Sequence, residues 1–139
     1  MFNGVEITEV PSGKPEGFVY RITNLINGKM YLGKKSFHAS KTIQVKGKKK
    51  KTKVESNWRV YFGSNDALIA DVKEFGKENF KREILSIHAT KSLVSYYEAK
   101  WQFQEDALLQ PEKYYNSWIM VRVRTAHIAG KEDYEESND

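Results

Sequence analysis

The stretch FVYRITNLINGKMYLG, Phe18 to Gly33, constrains this chain more than any other. Two short runs rich in β-branched and aromatic residues flank an Asn27-Gly28 pair. Such a pair predicts a tight hairpin, because a type I′ turn needs positive φ at both central residues. Strands are therefore expected over Phe18–Thr23 and Lys29–Gly33. A two-residue loop pairs positions whose numbers sum to an odd value, and Tyr20 and Tyr31 also sum to an odd value. Both phenols then share one face of the hairpin, as they do for any loop of even length. Taken alone they are either core tyrosines, as strand phenols usually are, or the floor of a site.

The remaining pattern alternates helix and strand signals. Ser64 or Asn65 can cap a helix over 66–76, with Leu68, Ile69, Val72 and Phe75 at helical spacing and Gly76 as its stop. FKREILSI, Phe80 to Ile87, predicts a third strand. Thr90 can cap a helix over 91–109, with Leu93, Tyr97, Trp101 and Leu108 as its inward stripe and Pro111 ending it. The expected fold is α/β (α+β): a small three-stranded antiparallel sheet flanked by helices. Residues 1–16 read as an irregular lead-in, 17–128 as one domain and 129–139 as an acidic, disordered tail. Residues 36–55 lack periodicity and read as a mobile loop, with a lysine-rich insertion at about 40–54. Tyr114–Ser117 reads as a turn and 118–124 as a short extension.

Charge narrows the function classes. Residues 1–62 hold 13 lysines and arginines against 4 acids, whereas 63–139 hold 10 against 14. A basic half with dispersed cations fits a polyanion better than a metabolite. With no cysteine there is neither a disulfide nor a thiolate metal site, which fits a reducing interior. The N-terminus carries no apolar signal core, and no apolar run approaches the ~20 residues of a membrane span. A soluble, cytoplasmic protein with no membrane partner is expected. HExxH, P-loop, GxSxG and zinc-finger spacings are all missing.

Glu98 is the carboxylate that stands out. Val94 lies one turn before it and Trp101 one turn after, so it borders the apolar stripe instead of the open face. It is either a rim glutamate paired with lysine or a ligand for a hard metal, since Mg²⁺ commonly takes one or two carboxylates with water and phosphate oxygens. Glu105 is a weaker candidate of the same kind. The lysine run gives Lys46, Lys48, Lys49, Lys50, Lys51 and Lys53, joined by Lys34 and Lys41, as nucleic-acid contacts. Alternatively, the run is a solvated loop.

Taken in order, these residues resemble the GIY-YIG nuclease family, in particular its free-standing phage homing endonucleases. FVY, Phe18–Tyr20, stands where the family has GIY, and YLG, Tyr31–Gly33, where it has YIG. WRVYFGSNDALIADVKEFGKENFKREIL is similar to the stretch that follows the first motif in the phage members. Glu98 is placed as the family's metal-binding glutamate, and Asn116 in YYNS as its late asparagine; by itself Asn116 reads as a turn residue. The resemblance covers residues 17–118. It implies a metal-dependent DNA endonuclease, of phage homing or restriction type, in which Tyr20 or Tyr31 helps activate water. It further implies that Glu98 holds one Mg²⁺ or Mn²⁺ and that Asn116 supports the site. The family carries an arginine in the helix after the second motif. Position 41 is lysine here, so Arg59 is expected to clamp the phosphate, with His38 or Lys35 as helper. The lysines beside Tyr31 are expected to lower its pKa. Double-stranded DNA is the expected partner, with no small-molecule cofactor, for a monomer or transient dimer. The alternative is a catalytically weak or inactive protein of the same fold that only binds nucleic acid.

Overall fold

A computed structural model describes residues 11–130; the lead-in before Pro11 and the tail after Gly130 lie outside the described residues. Strands β1 (Gly17–Asn24), β2 (Met30–Ser36) and β5 (Phe80–His88) form an antiparallel sheet in the order β2-β1-β5. This is the three-stranded sheet the sequence predicts. Central β1 is buried along most of its length, from Gly17 through Tyr20 and again at Ile22 and Asn24, so both of its faces are covered. Helix α1 (Asp66–Phe75) brings Leu68 and Val72 into a core with Phe18, Tyr20, Ile22, Phe37, Trp58, Ile84 and Ile87. Helix α2 (Lys91–Gln104) packs across β2, β1 and β5. Each large apolar side chain fully buried this way contributes roughly 1.5–3 kcal/mol.

The hairpin differs from expectation in its loop and agrees in its parity. Tyr20 pairs with Gly33 and Ile22 with Tyr31, and the Asn24 N–H bonds to the Lys29 carbonyl at 2.8 Å. The loop is therefore Leu25–Gly28, longer than a type I′ turn. Buried Asn24 causes this: its Oδ1 accepts from the Ile26 N–H at 2.9 Å, and its Nδ2 donates to the Tyr115 hydroxyl at 3.0 Å. An even loop is retained, so Tyr20 and Tyr31 do share a face.

The segment expected to be a mobile loop is instead a second, two-stranded sheet: β3 (His38–Val45) and β4 (Lys48–Glu55). Lys46 and Gly47 both have positive φ, 50° and 76°, as a type I′ turn joining β3 and β4 requires. Alternation escaped notice because lysines occupy both faces of β4. Phe37, fully buried between β2 and β3, roots the ribbon by packing against Trp58 with ring centroids 5.1 Å apart.

Two further boundaries shift. Asn65, not Ser64, caps α1, its Oδ1 accepting from the Leu68 N–H at 3.1 Å. Helix α2 stops at Gln104, before the expected end, because Asp106 turns left-handed at φ 51°. Leu108 is consequently exposed and forms no part of the inward stripe. A four-residue helix, α3 (Thr125–Ile128), closes the described chain.

Candidate active site

A cleft of about 270 Å³ opens along the edge of β2 and brings together Tyr20, Tyr31, Lys34, Ser64, Asn65, Glu98, Gln102 and Asn116. Each element delivers its side chain for a local reason. Strand pairing sets Tyr20 and Tyr31 diagonally on one face, with ring centroids 6.1 Å apart. Gly33 makes room for this. A Cβ there would lie 2.6 Å from Tyr20 Cζ and 2.8 Å from Tyr31 Cε2, and it would overlap the Tyr20 hydroxyl. Gly63 turns with φ 88°, where a Cβ would meet Leu68 Cδ2 at 2.7 Å, and its chain leads Ser64 and Asn65 to the cleft.

Glu98 stands between Val94 and Gln102, one turn away on either side and both buried. Glu98 itself is half-buried, at the edge of the apolar stripe as the sequence predicts. Burial raises its carboxyl pKa, while the charge and the backbone N–H of Lys34 pull the other way. Lys34 Nζ also donates to Ser95 Oγ at 2.8 Å, and no other lysine or arginine among the described residues lines the cleft.

Asn116 is held with unusual completeness. Its Oδ1 accepts from the Leu32 N–H at 2.9 Å, and its Nδ2 donates to the Leu32 carbonyl at 2.8 Å. Gln102 Nε2 adds a bond to that same carbonyl at 3.1 Å. The Met30 N–H bonds to the Lys113 carbonyl, and the Tyr115 N–H to the Met30 carbonyl, each at 2.7 Å. Residues 113–116 thus cover the outer edge of β2 on both sides of Tyr31. Asn116 is a buried strand-edge clamp, not a solvated turn residue.

Both phenols are pushed above their ordinary value. Burial is the main cause at Tyr20, followed by Tyr31 and Tyr61, and Tyr20 is hydrogen-bonded to Tyr61. At Tyr31 burial again leads; Ser64, hydrogen-bonded to the phenol, opposes it, while Glu98 and Tyr61 reinforce it. The expected lowering by neighbouring lysines is absent, because Lys34 turns to Glu98 and Ser95 and Lys35 lies over the Tyr61 ring, 4.2 Å from its centroid.

The family described as "Putative endonuclease segE, GIY-YIG domain" matches residues 1–119. This chain belongs to the GIY-YIG endonuclease family. It is 33% identical over 99 residues to "Putative endonuclease segE" of Enterobacteria phage T4, a match covering 71% of this chain. The chain spans 39% of that relative's length. No solved structure matches the chain.

In this GIY-YIG domain the structure gathers Tyr20, Tyr31, Glu98, Asn116 and Lys34 in the cleft, and leaves Lys35, Arg59, His38 and Glu105 outside it. Arg59 is paired with Glu55 at 2.6 Å, and its guanidinium lies 5.1 Å from the Trp58 ring centroid. This i,i+4 pair lies at the ribbon base, outside the cleft. His38 begins β3 opposite Glu55. Glu105 lies beyond the end of α2, beside Tyr114. Sequence reasoning missed Ser64, Asn65, Gln102 and Tyr61. Tyr61 packs edge-on to Tyr20 at 6.0 Å, and a third tyrosine in NWRVYFG was the available signal. Gln102 could have been found one turn after Glu98. Arg82 pins the turn before the cleft by donating to the carbonyls of Tyr61 and Arg59, each at 2.6 Å.

Proposed function

We propose that the chain is a metal-dependent DNA endonuclease that hydrolyses phosphodiester bonds, of the free-standing phage homing or restriction-like kind. One observation carries this: a single concavity holds two phenols, one half-buried carboxylate and one lysine. Phosphodiester hydrolysis needs an oriented water, positive charge against the phosphate and assistance to the leaving oxygen. Lys34 offsets negative charge on the phosphate, a role the geometry favours for it over Arg59. Tyr31, held by Ser64, and Tyr20, held by Tyr61, orient the attacking water. Asn116 and Gln102 fix the backbone at Leu32 and thereby the position of Tyr31.

Glu98 fits one Mg²⁺ or Mn²⁺. Among the described residues no cluster of three or more acidic, histidine or cysteine side chains could cage a metal. A single carboxylate beside hydroxyl and amide oxygens suits a hard cation completed by water and substrate phosphate. A divalent charge also relieves the burial that pushes the Glu98 carboxyl up. When bound, such an ion would supply Lewis-acid polarisation of the phosphate and offset the Glu98 charge, which adds to burial in raising both phenols.

Double-stranded DNA is the proposed substrate and the host cytoplasm the proposed compartment; no described helix is long and apolar enough to cross a membrane. One site cuts one strand, so a double-strand break requires a transient dimer or two encounters. The second reading is a domain that binds nucleic acid without cutting. The raised phenols and the lack, among the described residues, of an arginine lining the cleft favour it. Supercoiled plasmid incubated with Mg²⁺ and with EDTA separates the two. Conversion to open circles only with Mg²⁺ supports the nuclease, and retained binding without nicking in either supports the other.

A further inference from the structure

The β3–β4 ribbon lies outside the cleft and carries seven lysines against one acid, Glu55. Glu55 is already engaged by Arg59 and by Trp58 Nε1 at 2.8 Å. No acidic side chain among the described residues pairs with the seven lysines. The cross-strand register divides the ribbon into two unlike faces. Lys49 lies opposite Gln44, Lys51 opposite Thr42 and Lys53 opposite Ser40. All six are exposed, and each can form hydrogen bonds. On the other face Lys48 lies opposite Val45 and Lys50 opposite Ile43, while Lys41 is opposite Thr52. Ile43 and Thr52 are half-buried, so the partly sheltered side is the one with the apolar residues.

A two-stranded ribbon of this kind is marginal in water without a partner. This one is rooted in the core. The Ser56 N–H bonds to the Phe37 carbonyl at 2.8 Å, and Ser56 Oγ to the Ser36 carbonyl at 2.6 Å. Its eight pairs extend roughly 26 Å at ~3.3 Å per residue, with strands about 5 Å apart. The major groove of B-form DNA, about 12 Å wide, admits such a ribbon, whereas the deep, narrow major groove of A-form RNA does not.

We infer that the ribbon inserts into the major groove of duplex DNA with the face of Ser40, Thr42, Gln44, Lys49, Lys51 and Lys53 turned inward. The three lysines reach the groove-lining phosphates or guanine edges, and Gln44, Thr42 and Ser40 lie against the base edges between them. β2, which bears Tyr31 and Lys34, continues through Phe37 into β3, so the same strand path connects groove contact to the cleft. This takes only the identity of the polymer from the nuclease proposal.

Binding to a 30-base-pair random-sequence DNA duplex, measured in EDTA over a range of salt concentrations, tests the inference without requiring cleavage. The two triple variants to compare are Lys49→Gln/Lys51→Gln/Lys53→Gln and Lys41→Gln/Lys48→Gln/Lys50→Gln. Each neutralised phosphate contributes about 0.9 to the slope of log affinity against log salt. The first triple is expected to reduce the slope by about two to three, and the second by less than one. Replacing purines with 7-deazapurines, which removes the major-groove N7 acceptors, is expected to weaken wild-type binding. A minor-groove ligand such as distamycin is expected to leave it unchanged. Equal losses for the two triples, no loss for either, or equal affinity for double-stranded RNA of the same sequence would overturn the ribbon's role. Face-dependent binding without any nicking would instead uphold the ribbon and remove the nuclease proposal.

Discussion

The carboxamide of Asn116 satisfies both backbone groups of Leu32, at 2.9 Å to the N–H and 2.8 Å to the carbonyl, and so behaves as one more residue of an adjoining strand. Leu32 sits between Tyr31 and Gly33, the position that spaces the two phenols. Asn116→Ala leaves the Leu32 N–H buried without its partner, while Gln102 still serves the carbonyl. The expected cost is about 1–3 kcal/mol, measured by chemical denaturation. A fall in kcat with little change in KM is expected for a positioning residue. Unchanged stability would show that water replaces the clamp.

Gly33 and Tyr20 are coupled by contact. Gly33→Ala is expected to destabilise by roughly 1–3 kcal/mol through overpacking. In a Tyr20→Ala background the same change is expected to cost much less, since the ring that the Cβ would meet is gone. Additive effects in that double-mutant cycle would contradict the packing account.

The raised phenols set a pH dependence. A group whose pKa lies above its ordinary value is protonated at neutral pH, so its phenolate fraction grows about tenfold per pH unit below that pKa. If Tyr31 takes the proton from water, the single-turnover rate rises with pH across the neutral range. Tyr31→Phe is expected to flatten that profile and lower the rate on the order of 10²-fold or more. A flat wild-type profile would restrict Tyr31 to packing and orientation.

Local pattern predicted the sheet, both long helices and the shared face of Tyr20 and Tyr31. The parity argument survived a change of loop length because it depends only on the loop being even. What escaped was set by contacts distant in sequence. Asn116 gains its role from Leu32, 84 positions away, and nothing in YYNS alone specifies that. Arg59 was the nearest arginine in sequence, yet it pairs with Glu55 on the same short segment. The ribbon was hidden because lysine at consecutive positions erases the polar alternation by which strands are recognised.

Glu98 carries the central claim. Its carboxyl pKa is raised, so the folded state binds its proton more tightly than the unfolded chain does. Ionised Glu98 therefore costs stability above the ordinary carboxylate range, and that cost disappears as pH falls below it. Glu98→Gln is expected to melt at or above the wild-type temperature at neutral pH, with any advantage lost in acid.

The most direct measurement combines thermal unfolding with plasmid nicking for wild type and Glu98→Gln, with and without Mg²⁺. The wild type is expected to gain stability from Mg²⁺, as any ligand of the folded state confers, and to nick supercoiled DNA only in its presence. Glu98→Gln is expected to stay folded, lose the Mg²⁺-dependent shift and nick on the order of 10²-fold more slowly or not at all. A Glu98→Gln protein that nicks at the wild-type rate, or a wild type that cuts equally well in EDTA, would contradict the account.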